Sequence, residues 1–292
     1  MQLISKVKIY SIIVTYNPDL SKLDNSVMRL ISAGCYKVII VNNSSYPLNL
    51  KKDSITVINL MQNLGIGKAQ NIGMEMAYSE GADFFLHMDQ DSLIDPNMIN
   101  RLLSSYFFLQ NKGYLIGLIG PVDYDIDSLK PSIPKFNKGK MIEKDLISVS
   151  ETLSSGSLIP SHIYNEVGGL NEDLFIDVVD FEYCWRIKRS GYLIIRDFKA
   201  KLFHKLGDGR VKILGFLHVG NTAPFRHYYA FRNSVYLILY EKAPFYWKLS
   251  NAIKIVFKIG VYPFAFKNGR ERFSYMSMGF IDGCRRIFRV IN

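Results

Sequence analysis

The chain has 292 residues, 48% of them hydrophobic, enough for one large domain or for a domain with an appendage. Its three cysteines, Cys35, Cys184 and Cys284, lie far apart, which excludes a cysteine zinc site and points to a reducing compartment. The net charge of +10 is uneven: residues 1–200 hold 20 Lys+Arg against 22 Asp+Glu, whereas residues 201–292 hold 16 against 4, a net of +12 that calls for an anionic partner.

Met1–Lys8 lacks the long apolar stretch and small-residue cleavage site of a signal peptide, so the expected location is cytoplasmic. Ile9–Val14 reads as a strand that ends at Thr15-Tyr16-Asn17-Pro18, and a helix follows from about Ser21 to Ala33. Lys37–Val41 is a second strand, ending at Asn42-Asn43-Ser44-Ser45. Ile55–Ile58 is a third, leading through Asn63-Leu64-Gly65-Ile66-Gly67 into a helix near Lys68–Ser79. Glycines at such a helix entry let a nucleotide approach the backbone, and the helix N-terminus favours anions. The spacing is neither a dinucleotide fingerprint nor a P-loop, and the bland alternative is a packing turn.

Phe84–Met88 is the fourth strand, and it runs straight into Asp89-Gln90-Asp91-Ser92, with Asp95-Pro96 opening a helix beyond. The alternation of strand and helix predicts an α/β fold with a mostly parallel sheet flanked by helices on both faces. Ligands of such sheets bind off the carboxyl ends of the strands, which is where Asp89 and Asp91 fall. Two carboxylates so close repel each other unless a cation compensates them, and hard oxygen ligands favour Mg2+ or Mn2+ completed by phosphate. The alternative is a turn with a helix cap.

After Gly120 the pattern loosens. Asp123–Lys140 reads as a loop, Leu146–Leu158 as strand pairs, Asp180–Ser190 as a helix and Tyr192–Arg196 as a strand. Asp177, Asp180 and Glu182 crowd the start of that helix. One acid there can act as a general base toward a hydroxyl, and Arg186, four residues after Glu182, can pair with it. Lys199–Ala223, rich in glycine and basic residues, reads as a mobile loop carrying His204. Phe225–Asn292 reads as helices. Within it, Ser250–Phe266 has a narrow polar stripe (Asn251, Lys254, Lys258) on an otherwise apolar surface. The lysines and Pro263 argue against a membrane span; the helix either lies in a membrane interface or packs on the catalytic domain.

Together these motifs resemble glycosyltransferase family 2 on the GT-A fold, over about residues 8–240. Asp89-Gln90-Asp91-Ser92 and Pro224–Asn233 are close to the forms seen in its bacterial rhamnosyltransferases. The resemblance implies a GT-A catalytic domain over 1–240 and a basic, membrane-associating helical region over 241–292. Thr15, Tyr16 and Asn17 would border base and ribose. Asn42 stands where the family usually has an aspartate for the base. Asp89 would face ribose or metal, Asp91 would ligate Mg2+ or Mn2+, and His204 would help to hold metal or diphosphate. Asn43, Asn63, Gly65, Gly67, Lys68, Asn71, Gln90 and Arg186 complete the implied nucleotide-binding set. Asp180 matches the catalytic base, with Glu182 as its alternative.

The implied donor is dTDP-rhamnose. The implied acceptor is a lipid-linked oligosaccharide at the anionic inner membrane face, in O-antigen or capsule synthesis, with no role for nucleic acid. Two rival readings stay open. A sugar-nucleotide nucleotidyltransferase would want a glycine-rich loop containing arginine or lysine where Thr15-Tyr16-Asn17-Pro18 stands. A non-catalytic membrane or nucleic-acid module would leave the acid clusters unexplained.

Overall fold

The computed structural model describes residues 7–50, 52–132, 139–204, 210–213, 217–220 and 222–291. Strands β1 (Ile9–Thr15), β2 (Lys37–Asn42), β3 (Ile55–Asn59) and β4 (Phe84–Asp89) are parallel neighbours in the order β3-β2-β1-β4. Their runs are apolar without alternation because both faces are covered. Ile9 and Ile13 of β1 face one core with Val38, Ile40 and Leu86, under helices α1 (Leu20–Ser32) and α3 (Met98–Asn111). Tyr10 and Ile12 face the other with Ile39, Val41 and Phe85, under α2 (Ile66–Ser79). Asp19 starts α1 by accepting from the Ser21 and Lys22 amides at 3.0 and 3.3 Å, a side-chain cap.

The second half departs from the parallel pattern. Strands β5 (Leu93–Ile94), β6 (Ile116–Asp125), β7 (Lys140–Glu143), β8 (Leu146–Val149), β9 (Leu158–Pro160) and β10 (Leu193–His204) extend the sheet as β4-β9-β6-β10-β8-β7. Helices α4 (Ser161–Val167) and α5 (Val179–Arg189) lie on the α2 face. β9 is antiparallel to both β4 and β6, so the strand pair expected within Leu146–Leu158 does not form: β8 joins β10 and β7 instead.

Two expected loops are partly strand. β6 runs through Asp123 to Asp125, and β10 runs on through Lys199 to His204. The reason is a period of two: Ala200 and Leu202 are buried while Lys199 and Lys201 point out, so the basic residues that suggest a loop occupy the solvent face. Arg210–Ile213 (β11) and Leu217–Gly220 (β12) form an antiparallel hairpin, and residues 205–209, 214–216 and 221 of that expected loop lie outside the described residues.

Helices α6 (Arg226–Leu239), α7 (Phe245–Ala265) and α8 (Gly269–Arg285) pack on one another around Phe231, Val235, Ile255, Tyr262 and Met276. The polar stripe of α7 is only partly covered: Asn251 and Lys258 are half-buried and Lys254 is exposed. Asn251 and Lys254 line a cavity against the sheet side, and Lys258 sits in a setting that lowers its pKa through burial, offset by the nearby Asp177 carboxylate. Phe245, Leu249, Ile253, Val256 and Phe264 stand outward, 52–87% exposed. Among the described residues no helix is long and apolar enough to cross a membrane.

Candidate active site

The parallel register sets Thr15 beside Asn42, and Val14 beside Asp89, so three strand ends open on one crevice. Much of the polar lining there serves the scaffold. The Asn42 side chain is fully buried: its Oδ1 accepts from Thr15 Oγ1 (3.3 Å) and the Ser44 amide (3.3 Å), and its Nδ2 donates to Tyr46 O (2.7 Å) and Asn59 Oδ1 (2.8 Å). Asn43 Nδ2 donates to Asn63 Oδ1 (2.8 Å), and the side-chain oxygens of these two asparagines cap the Leu64 and Gly65 amides. The Asn17 amide donates to Ser44 Oγ at 2.9 Å. Gln90 clasps the Tyr16 backbone from both sides, accepting from its amide (2.8 Å) and donating to its carbonyl (3.3 Å). The Tyr16 ring is left 53% exposed, free to stack on a planar ligand.

The glycines at the α2 entry serve packing. Gly65 has φ +85° and a Cβ there would lie 2.7 Å from Phe175; a Cβ on Gly73 would lie 2.6 Å from Ile12. Lys68 pairs with Glu172 at 2.9 Å, and Asn71 is tied to Leu170 and Glu172. These two side chains are therefore held to the turn at residues 170–172.

Four groups converge beyond β4. Burial pushes the Asp89 carboxyl up to about 6; Asp91 and Asp123 add to this, and His204 opposes it. Asp123 is likewise raised by burial against the pull of His204 and Arg196. The Asp89 side chain is exposed at the strand end, although carboxylates and protein crowd it. His204 arrives because β5, two residues after Asp91, pairs with β10 in the register Leu93–Phe203. Its Nδ1 is buried, 3.9 Å from Asp123 Oδ1, with no hydrogen-bond partner among the described residues. Nothing in the sequence singles out Asp123, which falls where the chain reads as having already left its strand.

The GT-A resemblance implies a divalent cation here. Among the described residues no three acidic, histidine or cysteine side chains form a ready cage. The donor set nonetheless fits: uncompensated carboxylates beside a buried, unbonded imidazole nitrogen. Mg2+ is commonly held by one or two carboxylates, with water and substrate phosphate filling the rest.

Across the crevice, residues 175–178 are strained. Phe175, Asp177 and Val178 have φ of 62°, 65° and 58°, a region costly for a β-branched valine. Helix α6 holds them there. Asn233 Nδ2 donates to the Leu174, Ile176 and Asp177 carbonyls at 2.8, 2.7 and 3.1 Å. Arg232, 1% exposed, donates to Asp173 O and Leu174 O at 2.7 and 2.9 Å. Arg226 pairs with the Asp177 carboxylate at 2.8 Å, and Phe175 stacks on Tyr229 at 4.7 Å. The segment Pro224–Asn233 thus clamps the loop that leads into α5. Asn233→Ala should take the donor from the Ile176 and Asp177 carbonyls, at about 1–3 kcal/mol each, while Leu174 O keeps Arg232. A lowered melting temperature is the expected result; an unchanged melt would show that the clamp carries no load.

The clamped loop delivers Asp180 to the crevice. Asp180 and Asp89 line one cavity of about 300 Å³ with Gln70, Ser154, Ile176 and Arg226. Burial, with a smaller contribution from Asp89, pushes the Asp180 carboxyl up to about 7, although the Phe181 amide donates to it at 2.9 Å. Glu182 points elsewhere: both its oxygens accept from Arg186 Nε at 2.7 and 2.9 Å. Arg186 donates from its remaining nitrogens to Val167 O and Gly169 O. Neither residue lines the cavity.

Residues 11–157 match the model of the family described as Glycosyl transferase family 2. A dTDP-rhamnosyl transferase RfbF of Shigella flexneri is 32% identical over 294 residues, covering 96% of each chain. Among solved structures, GalNAc-T7 with UDP, GalNAc and Mn2+ superposes with a TM-score of 0.57 at 13% identity, over 88% of this chain and 58% of that one. S. aureus TarS 1-349 in complex with UDP-GlcNAc gives 0.53 at 15% identity, over 95% and 81%. These two are likenesses of fold.

Proposed function

Because this chain belongs to glycosyl transferase family 2, we propose that it is an inverting, metal-dependent transferase that moves L-rhamnose from dTDP-rhamnose to a lipid-linked glycan acceptor, in the synthesis of a surface polysaccharide such as an O-antigen or capsule. The observation that carries this reading is the full-length similarity to a dTDP-rhamnosyl transferase, together with one basic carboxylate facing the acidic strand end.

Tyr16, its backbone fixed by Gln90, stacks on the base, and Asn17 borders the base and ribose, while Thr15, fully buried and bonded to Asn42, supports the strand end from beneath. Asn42, Asn43 and Asn63 hold the loops that shape this part of the crevice. Asp89, Asp91 and His204, with Asp123, are the residues that would hold Mg2+ or Mn2+. Such a cation offsets negative charge on a departing phosphate. Asp180 accepts the proton of the acceptor hydroxyl as its oxygen bonds to the anomeric carbon. The bond from that carbon to the diphosphate oxygen breaks on the opposite face, and the nucleoside diphosphate leaves. Attack opposite the leaving group inverts the configuration, so a β-L-rhamnosyl donor gives an α-rhamnoside. The raised pKa of Asp180 suits a base working near neutral pH. Glu182, locked by Arg186, is a structural acid in this reading, and Arg186, Lys68, Asn71, Gly65 and Gly67 support the site without touching the nucleotide.

A donor panel tests the assignment. dTDP-rhamnose should be hydrolysed slowly without acceptor and should raise the melting temperature more than UDP- or GDP-sugars do. A clear preference for a UDP- or GDP-sugar would overturn the donor.

The outward row on α7 supports docking on the inner face of the cell membrane. An exposed apolar row of this length is unfavourable in water and suits the interface of a bilayer. Lys258 is half-buried and Lys254 is the one exposed lysine of the stripe, so apolar insertion carries most of the binding, and added salt should weaken it only modestly. Flotation with vesicles containing acidic phospholipid is the measurement. Val256→Asp with Ile253→Asp should release the protein while donor hydrolysis persists; a wild-type chain that stays at the bottom of the gradient at low salt would refute the docking.

A further inference from the structure

A second cavity, of about 350 Å³, lies beside the first; it shares Asp123 with the proposed cation site, while the rest of its lining is used by neither the donor nor the base. Its floor is the segment Val149–Leu153 at and beyond the end of β8, and its roof is the first three turns of α7. Leu153 and Phe181 line both cavities, so the two are separated by a wall one residue from Asp180. Whatever occupies the second cavity has its edge next to the proposed base.

The chemistry of the lining names its class of ligand. Charges balance, Asp123 and Glu151 against Arg196 and Lys254, so nothing favours a phosphate. Aromatic side chains sit among hydroxyl and amide groups: Tyr246 is 37% exposed, and Trp247 packs edge-on against Trp185 at 4.9 Å. Glu151 Oε2 accepts from both Tyr246 Oη and Trp185 Nε1, which fixes the carboxylate at the cavity wall. Asn251 donates from Nδ2 to the Trp247 carbonyl (2.9 Å), and its Oδ1 takes no hydrogen bond from the described residues. An aromatic face beside fixed acceptors and hydroxyls suits a neutral polyol with one apolar face, which is what a pyranose is.

We propose that this cavity is the sugar subsite of the acceptor, seating the terminal uncharged pyranose of the acceptor glycan, with Tyr246 and Asn251 as recognition groups. The proposal rests on the reading that the chain transfers a sugar, and it gives α7 two tasks. Its outward row meets the bilayer, and its polar stripe meets the glycan that the bilayer anchors. A lipid-linked acceptor would then enter along the helix and offer its hydroxyl across the Leu153–Phe181 wall to Asp180.

Saturation-transfer NMR on the full chain, with dTDP present, tests it against methyl glycosides of rhamnose, glucose, galactose and N-acetylglucosamine. At least one glycoside should bind, and Asn251→Leu and Tyr246→Ala should each weaken that binding about tenfold or more, with dTDP affinity and melting temperature kept. A tenfold loss corresponds to about 1.4 kcal/mol. No glycoside bound up to millimolar concentrations, or binding unaffected in both variants, overturns the proposal. Failure of dTDP to bind while a glycoside still does would strike the donor assignment and leave the subsite standing. In turnover assays with the best-bound glycoside as acceptor, both variants should raise its KM without changing the rate of donor hydrolysis; a raised donor KM would place Asn251 and Tyr246 in the donor site and overturn the subsite.

Discussion

Asp180→Asn should slow sugar transfer about 10²–10⁴-fold and, in the same protein, raise the melting temperature above pH 7. The first effect is the loss of the base: asparagine keeps the shape and accepts the Phe181 amide but cannot take a proton from the acceptor hydroxyl. The second comes from linkage. The carboxyl titrates at about 7 when folded and near its ordinary 3.8 when unfolded, so between those values the folded chain holds the extra proton. Its contribution to stability is complete below 3.8 and is lost as pH rises through about 7. A tenfold difference in proton affinity between the folded and unfolded chain corresponds to about 1.4 kcal/mol, so above neutrality the ionised acid strains the fold by up to a few kcal/mol, less whatever crevice water relieves. Asparagine removes that strain, as expected of a group placed for chemistry rather than for stability. Donor binding should survive. Denaturant melts at pH 5 and pH 8 with single-turnover kinetics decide it. A fully active Asp180→Asn enzyme, with Glu182→Gln inactive and still folded, would transfer the role to Glu182.

The contrast between Asp180 and Glu182 shows where sequence reasoning stops. Spacing alone makes Arg186 a partner for Glu182, and the pair forms. Which acid faces the crevice depends on the φ of Val178, and no glycine or asparagine there marks a left-handed turn. The strain is tolerated because Arg232 and Asn233, more than fifty residues on, hold the carbonyls. Those two residues are visible in the sequence as part of a recognisable segment, but without a reason for their identity. The parallel half of the fold is legible because its inner strands are buried on both faces and end abruptly in polar residues. The antiparallel half is not, since β9, β6, β10 and β8 meet by long-range pairing that local periodicity does not encode. For the same reason Asp123 escapes a reading of the sequence, and His204, which reads as loop-borne, ends a strand zipped to β5. In α7 the amphipathic stripe is legible, but a stripe says which residues share a face, not which face packs. Asn71, Asn42 and Arg186 spend their side-chain hydrogen bonds within the protein, and Lys68 pairs with Glu172, and composition cannot tell such residues from ligand contacts.

Asp91→Asn should abolish stabilisation by Mn2+ and lower turnover by several kcal/mol of transition-state free energy, about 10²–10⁴-fold, in a protein that still folds. Asp91 stands exposed just past the strand end, so its loss should not disturb the core. In the metal-free chain, Asp89 is crowded by Asp91 and Asp123, and its carboxyl is pushed up to about 6, chiefly by burial. Folding thus gathers three carboxylates that repel one another, which costs stability unless a cation enters. A cation that binds only the folded form adds stability by mass action, about 2.7 kcal/mol at a concentration one hundred times its dissociation constant. Wild type should therefore melt higher with Mn2+ than with EDTA, and the gain should grow from pH 5 to pH 7 as Asp89 ionises through about 6. Asp91→Asn relieves part of the repulsion, so it should melt as high as wild type in EDTA and gain little from Mn2+. His204→Ala should keep part of the gain, because its imidazole adds one neutral ligand rather than a charge. Wild-type transfer that proceeds undiminished in EDTA, together with a melt indifferent to Mn2+, would mean that Asp89, Asp91 and Asp123 serve the ribose and the fold, and that the departing diphosphate is neutralised by basic side chains alone.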